Sequence, residues 1–201
     1  MSCSDLCTDL CNDGIAVRDR FLTQRQVQAL VKCAESRRRR GDFVAARIGA
    51  DRQRQRREEI RGDSICWLDE PWFGPERELL ESLEELRLQL NRGALLGLFE
   101  LELHYARYPP GSGYARHVDQ PQRRDQRRVS LVIYLNEDWE ACDGGELRIF
   151  ADDERYRDIE PVAGRLVAFL TERREHAVMS TRRDRLSLTG WFRGRESNPL
   201  R

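Results

Sequence analysis

Three side chains have the types and spacing to hold a redox-active metal: His117 and Asp119, two residues apart, and His176, much later in the sequence. Two imidazoles and one carboxylate form the facial triad that holds non-haem Fe(II) and leaves coordination positions open. Neutral imidazole nitrogen suits Fe(II), and one carboxylate lowers the charge at the metal. Three ligands on one face leave the opposite face for a cosubstrate and O2. On an extended segment residues i and i+2 point to the same side, so His117 and Asp119 can reach one ion while Val118 faces away. His176 must then arrive from another strand. H-x-D alone occurs by chance in a chain of this size, so its surroundings decide. With them, the reading is an iron oxygenase.

Downstream of His176, the run from Arg185 to Trp191 alternates polar and apolar residues, as a half-buried strand does. Arg185, Ser187, Thr189 and Trp191 therefore share a face. A guanidinium on the inward face of a strand near a metal needs an anionic partner, because an unpaired buried charge is very costly. A dicarboxylate cosubstrate supplies one: its 1-carboxylate and 2-oxo oxygen would chelate iron while its far carboxylate pairs with Arg185. Tyr134, on an expected strand from Val129 to Leu135, can add a phenolic hydrogen bond to that carboxylate.

Several motifs occur in order: Ile60 to Trp67 (Ile-Arg-Gly-Asp-Ser-Ile-Cys-Trp), Tyr108 to Asp119 (Tyr-Pro-Pro-Gly-Ser-Gly-Tyr-Ala-Arg-His-Val-Asp), Tyr134 to Trp139, Gly144 to Phe150, Asp158 to Pro161, and His176 through Arg185. From about Gly14 to Arg193 the chain resembles the 2-oxoglutarate-dependent prolyl hydroxylases of the hypoxia-sensing, EGL-nine-like type, as a bacterial member. The resemblance implies a mainly β fold with supporting α-helices around a double-stranded β-helix (jelly-roll) core. It implies Fe(II) at His117, Asp119 and His176, 2-oxoglutarate held by Arg185 and Tyr134, and a pocket lined by Tyr108, Leu147, Thr189 and Trp191. O2 as oxidant and L-ascorbate as reductant come with it. Two departures stand out: the loop before His117 is one residue shorter, and His104 replaces an apolar residue of the metazoan enzymes.

The 201 residues fit one structural unit. Residues 1–97 are expected to supply helices and supporting strands with a substrate finger at 49–59, residues 98–195 the oxygenase core, and residues 196–201 a frayed tail. Thirty-five basic and 35 acidic side chains balance, which argues against a general nucleic-acid-binding role. No apolar run reaches the length of a membrane span and no signal-peptide pattern opens the chain, so a cytoplasmic protein is expected. Cys3, Cys7 and Cys11 recur every four residues, but match no usual zinc or iron-sulfur spacing. They read as small residues on a packed helix.

Thr23-x-x-Gln26 is a capping box opening a helix with apolar Val27, Leu30, Val31 and Ala34, closed by Gly41. The basic run Arg37 to Arg40 reads as its solvated end. A second helix is expected from Pro75 to Asn91, with Leu79, Leu80, Leu83, Leu86, Leu88 and Leu90 on its apolar face and Gly93 beyond its end. Phe99, Leu101, Leu103 and Tyr105 alternate with Glu100, Glu102, His104 and Ala106 in a strand that puts His104 and Tyr108 on one side. His104 is expected to be hydrogen-bonded and without a catalytic part. The arginine-rich stretch from Gln120 to Arg128 reads as a loop at the barrel mouth.

The function expected is hydroxylation of a prolyl residue in a flexible loop of a protein, with elongation factor Tu as first candidate because some bacterial members of the resembled family act on it. A monomer is expected. The alternatives are the same chemistry on a small molecule or free amino acid, and a jelly-roll binding protein without catalysis.

Overall fold

The computed structural model describes residues 3–46, 60–119, 126–151 and 153–195. In chain order they form α1 (Cys3–Asp13), β1 (Ile15–Arg18), α2 (Gln24–Arg40), β2 (Val44–Ala45), β3 (Ser64–Trp67), α3 (Gly74–Ala94), β4 (Leu98–Tyr108) and β5 (Tyr114–His117). There follow β6 (Arg127–Tyr134), β7 (Leu147–Phe150), β8 (Tyr156–Ile159), β9 (Leu166–Leu170), β10 (His176–Val178) and β11 (Arg185–Gly194). The expected finger at 49–59, residues 120–125 of the expected mouth loop, and the tail 196–201 lie outside the described residues. Arg127 and Arg128, assigned to that loop from sequence, instead open β6.

The strands pair into a seven-stranded sheet in the order β1-β9-β6-β11-β4-β3-β2 and a four-stranded sheet in the order β5-β10-β7-β8. The pairings between strands are antiparallel. This is the double-stranded β-helix expected from sequence. Side-chain parity sorts the large sheet into two buried faces. Leu103, Tyr105, Val129, Leu131, Ile133, Leu188 and Phe192 pack with Leu residues of the helices in one core. Val132, Tyr134, Val167 and Phe169 point the other way, toward Leu147, Ile149 and Ile159 of the small sheet. The site lies between the sheets.

The helices brace the outer face. At the start of α2 the Gln26 amide donates to Thr23 Oγ1 and the Thr23 amide to Gln26 Oε1, the reciprocal capping box. Gly41 ends the helix at φ +82°, a left-handed conformation that glycine adopts without strain. Arg37 is not solvated: it is 7% exposed. Its Nε and Nη2 donate at 2.8 and 2.7 Å to the two oxygens of Glu76, itself fully buried. The Glu76 carboxylate also accepts from the Phe73 amide and the Tyr105 hydroxyl, so no carboxylate oxygen is left unbonded in the interior. Arg38, Arg39 and Arg40 face water as expected, and packing against Glu76 overrides that expectation at Arg37 alone.

Helix α3 runs past Gly93 and is capped by Leu95 in the left-handed region. Gly93 lies inside it because a Cβ there would stand 2.7 Å from Cys7 Sγ on α1. Leu88 is 40% exposed and does not join the buried face. On α1, Cys7 is buried and Cys11 exposed.

Candidate metal and cosubstrate site

His117 ends β5 and His176 begins β10, and the two are paired residues of the antiparallel ladder. Their rings stand 4.2 Å apart between centroids. Asp119 lies two residues past the end of β5 rather than on it. Its Oδ1 is 3.6 Å from His117 Nε2 and its Oδ2 is 3.6 Å from His176 Nε2. The three ligand-type atoms lie within 4.8 Å of one another, and no other such cluster of three His, Cys, Asp or Glu occurs among the described residues.

Each ring is oriented from behind. His117 Nδ1 lies 2.7 Å from the Ala115 carbonyl and His176 Nδ1 3.2 Å from that of Arg174. A carbonyl only accepts, so each Nδ1 carries a proton, and each Nε2 is turned toward Asp119. Tyr114 stacks on His117 at 3.5 Å, and Phe169 meets His176 edge-on at 4.8 Å. Burial lowers the His176 pKa, although Asp119 opposes that shift, so its imidazole is neutral at pH 7. For Asp119, burial favours the neutral acid, but His176 and His117 outweigh it and hold the pKa well below the carboxylate range. Ser130 Oγ donates to Asp119 Oδ2 at 2.7 Å and shares a contact with Thr171 Oγ1. Two imidazoles and one fixed carboxylate are a donor set that suits a divalent first-row metal.

The large sheet contributes the second charged feature. Arg185 is 1% exposed. Its Nε donates to the Gly145 carbonyl at 2.8 Å and its Nη1 reaches Ser187 Oγ at 3.5 Å. Its guanidinium carbon lies 5.1 Å from the Tyr134 ring centroid and 5.2 Å from that of Tyr108. Among the described residues it has no carboxylate partner. The Tyr134 hydroxyl, also buried, has no hydrogen-bond partner. Gly145 is needed for this approach: at φ +71° a Cβ would press on Arg185 Cδ at 3.1 Å. A buried guanidinium without a carboxylate partner beside a hydroxyl has the chemistry to receive an anion.

Tyr108, Leu147, Thr189, Trp191, Arg185 and the three ligand-type residues line one cavity. Tyr134 is brought to it through its contact with Arg185 rather than as a wall. The structure adds residues to which sequence reasoning gave no role. Arg61 and Asp63 form a pair at 2.7 Å that lines the cavity, with Arg61 over the Tyr114 ring. Ser130 had a signal that could have found it, a lone small polar residue in the apolar run from Val129 to Tyr134. His104 departs from expectation: it is 1% exposed, lines the cavity, and neither ring nitrogen has a hydrogen-bond partner.

A jelly-roll with a His-Asp-His cluster in the small sheet and a buried, unpaired arginine on the facing sheet defines the class of oxygenases that use Fe(II) and a 2-oxo acid. The pattern of the 2OG-Fe(II) oxygenase superfamily matches residues 103–193, and the chain belongs to that superfamily, among its prolyl hydroxylase relatives. It is similar to human Egl nine homolog 1, 33% identical over 189 residues that make up 89% of this chain and 43% of that protein. The chain thus spans less than half the length of that relative. Among solved structures it resembles a Pseudomonas putida prolyl-4-hydroxylase at 41% identity and TM-score 0.87, covering 96% of this chain and all of that one. A prolyl hydroxylase from Trichoplax adhaerens, solved with a hypoxia-inducible factor peptide, is 26% identical with TM-score 0.87, over 95% of this chain and 88% of that one.

Proposed function

We propose that the chain is an Fe(II)- and 2-oxoglutarate-dependent dioxygenase that hydroxylates a prolyl residue of a protein. The observation that carries the reading is the pairing of two features in one cavity: the His117, Asp119 and His176 cluster, and the buried Arg185, which has no carboxylate partner among the described residues. The prolyl hydroxylase relatives support the substrate class. Bound Fe(II) with 2-oxoglutarate and O2 supplies the oxidising chemistry, placing one oxygen atom in a substrate C–H bond while 2-oxoglutarate becomes succinate and CO2.

The chain's residues bind and orient. His117 and His176 offer Nε2 because their Nδ1 protons are held by backbone carbonyls. Asp119 is aimed by Ser130. Arg185 receives the far carboxylate of the cosubstrate, and Tyr134 adds a phenolic hydrogen bond. Tyr108, Leu147, Thr189 and Trp191 form walls that exclude water. Arg61 and Asp63 line the cavity, and the 39%-exposed Trp67 reaches the surface, where a polypeptide loop would be received. No helix among the described residues is long and apolar enough to cross a membrane. Cys11, Cys33, Cys66 and Cys142 are free thiols, which favours a reducing, cytoplasmic setting. The protein acts as a monomer with ascorbate as reductant, and elongation factor Tu is the first candidate substrate.

The test is incubation with Fe(II), 2-oxoglutarate, ascorbate and a bacterial lysate, followed by peptide mass spectrometry. A prolyl residue heavier by one oxygen, formed only with all components present, is expected. Unmodified prolyl peptides with oxidation of a free amino acid or other small metabolite would overturn the assignment.

A further inference from the structure

We infer that His104, together with the Trp191 indole, forms a second binding point of the pocket, which hydrogen-bonds the carboxylate at the 2-oxo end of the cosubstrate. The inference rests on the oxygenase reading above and adds a contact opposite the Arg185 anchor.

The starting observation is a set of unmatched polar atoms. Among the described residues, His104 Nδ1, His104 Nε2 and Trp191 Nε1 are all buried without a hydrogen-bond partner, and both residues line the same cavity. Leaving such groups unsatisfied costs about 1–3 kcal/mol each, so a folded interior keeps them where a ligand or water completes them. The two rings are 5.5 Å apart between centroids and inclined at 31°, close enough for their N–H groups to share one acceptor. An indole nitrogen only donates, and a neutral imidazole offers one N–H. Burial, with Arg61 and Arg127 nearby, keeps the imidazole neutral against the opposing pull of Asp119. Two neutral donors facing one space select an acceptor, and a carboxylate is the acceptor this pocket is built to receive.

The register places the contact at the metal end. Along β11, Arg185 stands opposite Tyr108, Ser187 opposite Ala106 and Tyr134, and Thr189 opposite His104. Trp191 comes next, opposite Ser130, the residue that holds Asp119. His104 thus lies beyond the guanidinium in the direction of the ligand cluster. It is also shielded from the surface, since Trp67, its neighbour on β3, covers it at 4.7 Å between centroids. A group only 1% exposed beneath an indole serves a small ligand inside the cavity rather than a peptide at the rim.

The experiment measures binding without turnover. Protein loaded with Mn(II) under anaerobic conditions is titrated calorimetrically with 2-oxoglutarate and with 2-oxobutyrate, which keeps the 2-oxo acid end and lacks the far carboxylate. His104→Met is expected to weaken both ligands about tenfold, the scale of one lost hydrogen bond to a charged group, with Mn(II) affinity and melting temperature retained. His104→Gln, which restores an N–H, is expected to recover most of the loss. Arg185→Ala should weaken 2-oxoglutarate and leave 2-oxobutyrate unchanged. Equal 2-oxoglutarate affinity in wild type and His104→Met overturns the inference. So does a loss that glutamine fails to restore, or one seen with 2-oxoglutarate alone. Absence of 2-oxoglutarate binding by the wild type would instead defeat the oxygenase reading.

Discussion

His117 and His176 are direct partners across the β5–β10 ladder, so the two imidazoles of the cluster are fixed by backbone hydrogen bonding before any metal arrives. Each ring is further locked by its own Nδ1 contact to a carbonyl. A site organised in this way should bind a divalent ion with little rearrangement. Replacing His117, Asp119 or His176 with alanine is expected to abolish iron-dependent succinate formation and to weaken Mn(II) binding by calorimetry, while circular dichroism stays that of the wild type. Full turnover by His176→Ala would remove the cluster from consideration.

Ser130 should be felt through Asp119. Ser130→Ala removes the hydroxyl that donates to Oδ2 and leaves the other two ligands untouched. Loss of an outer-shell partner of this kind lowers metal affinity by roughly 10- to 100-fold. The expected result is weaker Mn(II) binding, with activity restored by raising the metal concentration. An unchanged metal requirement would show that Asp119 is oriented by other groups.

The proposed Arg185 anchor makes a separate claim on the cosubstrate. Truncating one partner of a buried, hydrogen-bonded charge pair costs about 2–5 kcal/mol. Arg185→Ala should therefore raise the 2-oxoglutarate requirement about thirtyfold or more. Tyr134→Phe removes one neutral donor and should cost much less, on the order of 1 kcal/mol. The check is the 2-oxoglutarate dependence of succinate release in each variant. Equal dependence in wild type and Arg185→Ala would place the anchor elsewhere.

How much of this was legible in the sequence follows from where the information sits. The H-x-D spacing, the alternation in β4 and β11 and the capping box at Thr23 are local patterns, and each reappears in the structure. The two-faced burial of the large sheet follows from the same alternation, with polar Arg185, Ser187 and Thr189 facing the cavity instead of water. What stayed hidden depends on partners distant in sequence. Arg37 reads as solvated until Glu76, on another helix, is placed beside it. Gly93 reads as a helix stop until Cys7 is brought against it. Strand β8, with three of its four residues exposed, carries no apolar alternation to mark it. For His104, local sequence shows which face it takes but not whether a partner waits there.

The Arg37–Glu76 pair should dominate the stability of the helical layer. Removing one member of a buried ion pair costs about 3–5 kcal/mol, a large share of the roughly 5–15 kcal/mol that holds a domain folded. Glu76→Ala is expected to lower the melting temperature by roughly 10 °C, because Arg37 loses its carboxylate and Tyr105 and the Phe73 amide each lose an acceptor. A double replacement, Arg37→Met with Glu76→Leu, should be less damaging than Glu76→Ala, since no charge is then left unpaired. A double variant less stable than the single one would contradict this account.

Acid stability depends on the environment of His104. Burial, then the positive charges of Arg61 and Arg127, push its pKa down to about 3, with Asp119 alone pulling upward. Its neighbours Trp67 and Trp191 carry no charge. In the unfolded chain the same imidazole titrates near 6.5. Above that pH both states are neutral and the group adds no pH dependence. Below it the unfolded chain takes up a proton that the native fold refuses, so native stability falls as pH drops from about 6.5 toward 3. The slope from one such group approaches about 1.4 kcal/mol per pH unit. His104→Met lacks this proton uptake. Urea midpoints measured at pH 7.5, 6.5, 5.5 and 4.5 should therefore show the variant gaining on the wild type at each step below 6.5, whatever their difference at pH 7.5. Parallel curves for the two proteins across this range would show that His104 is protonated as readily in the fold as outside it.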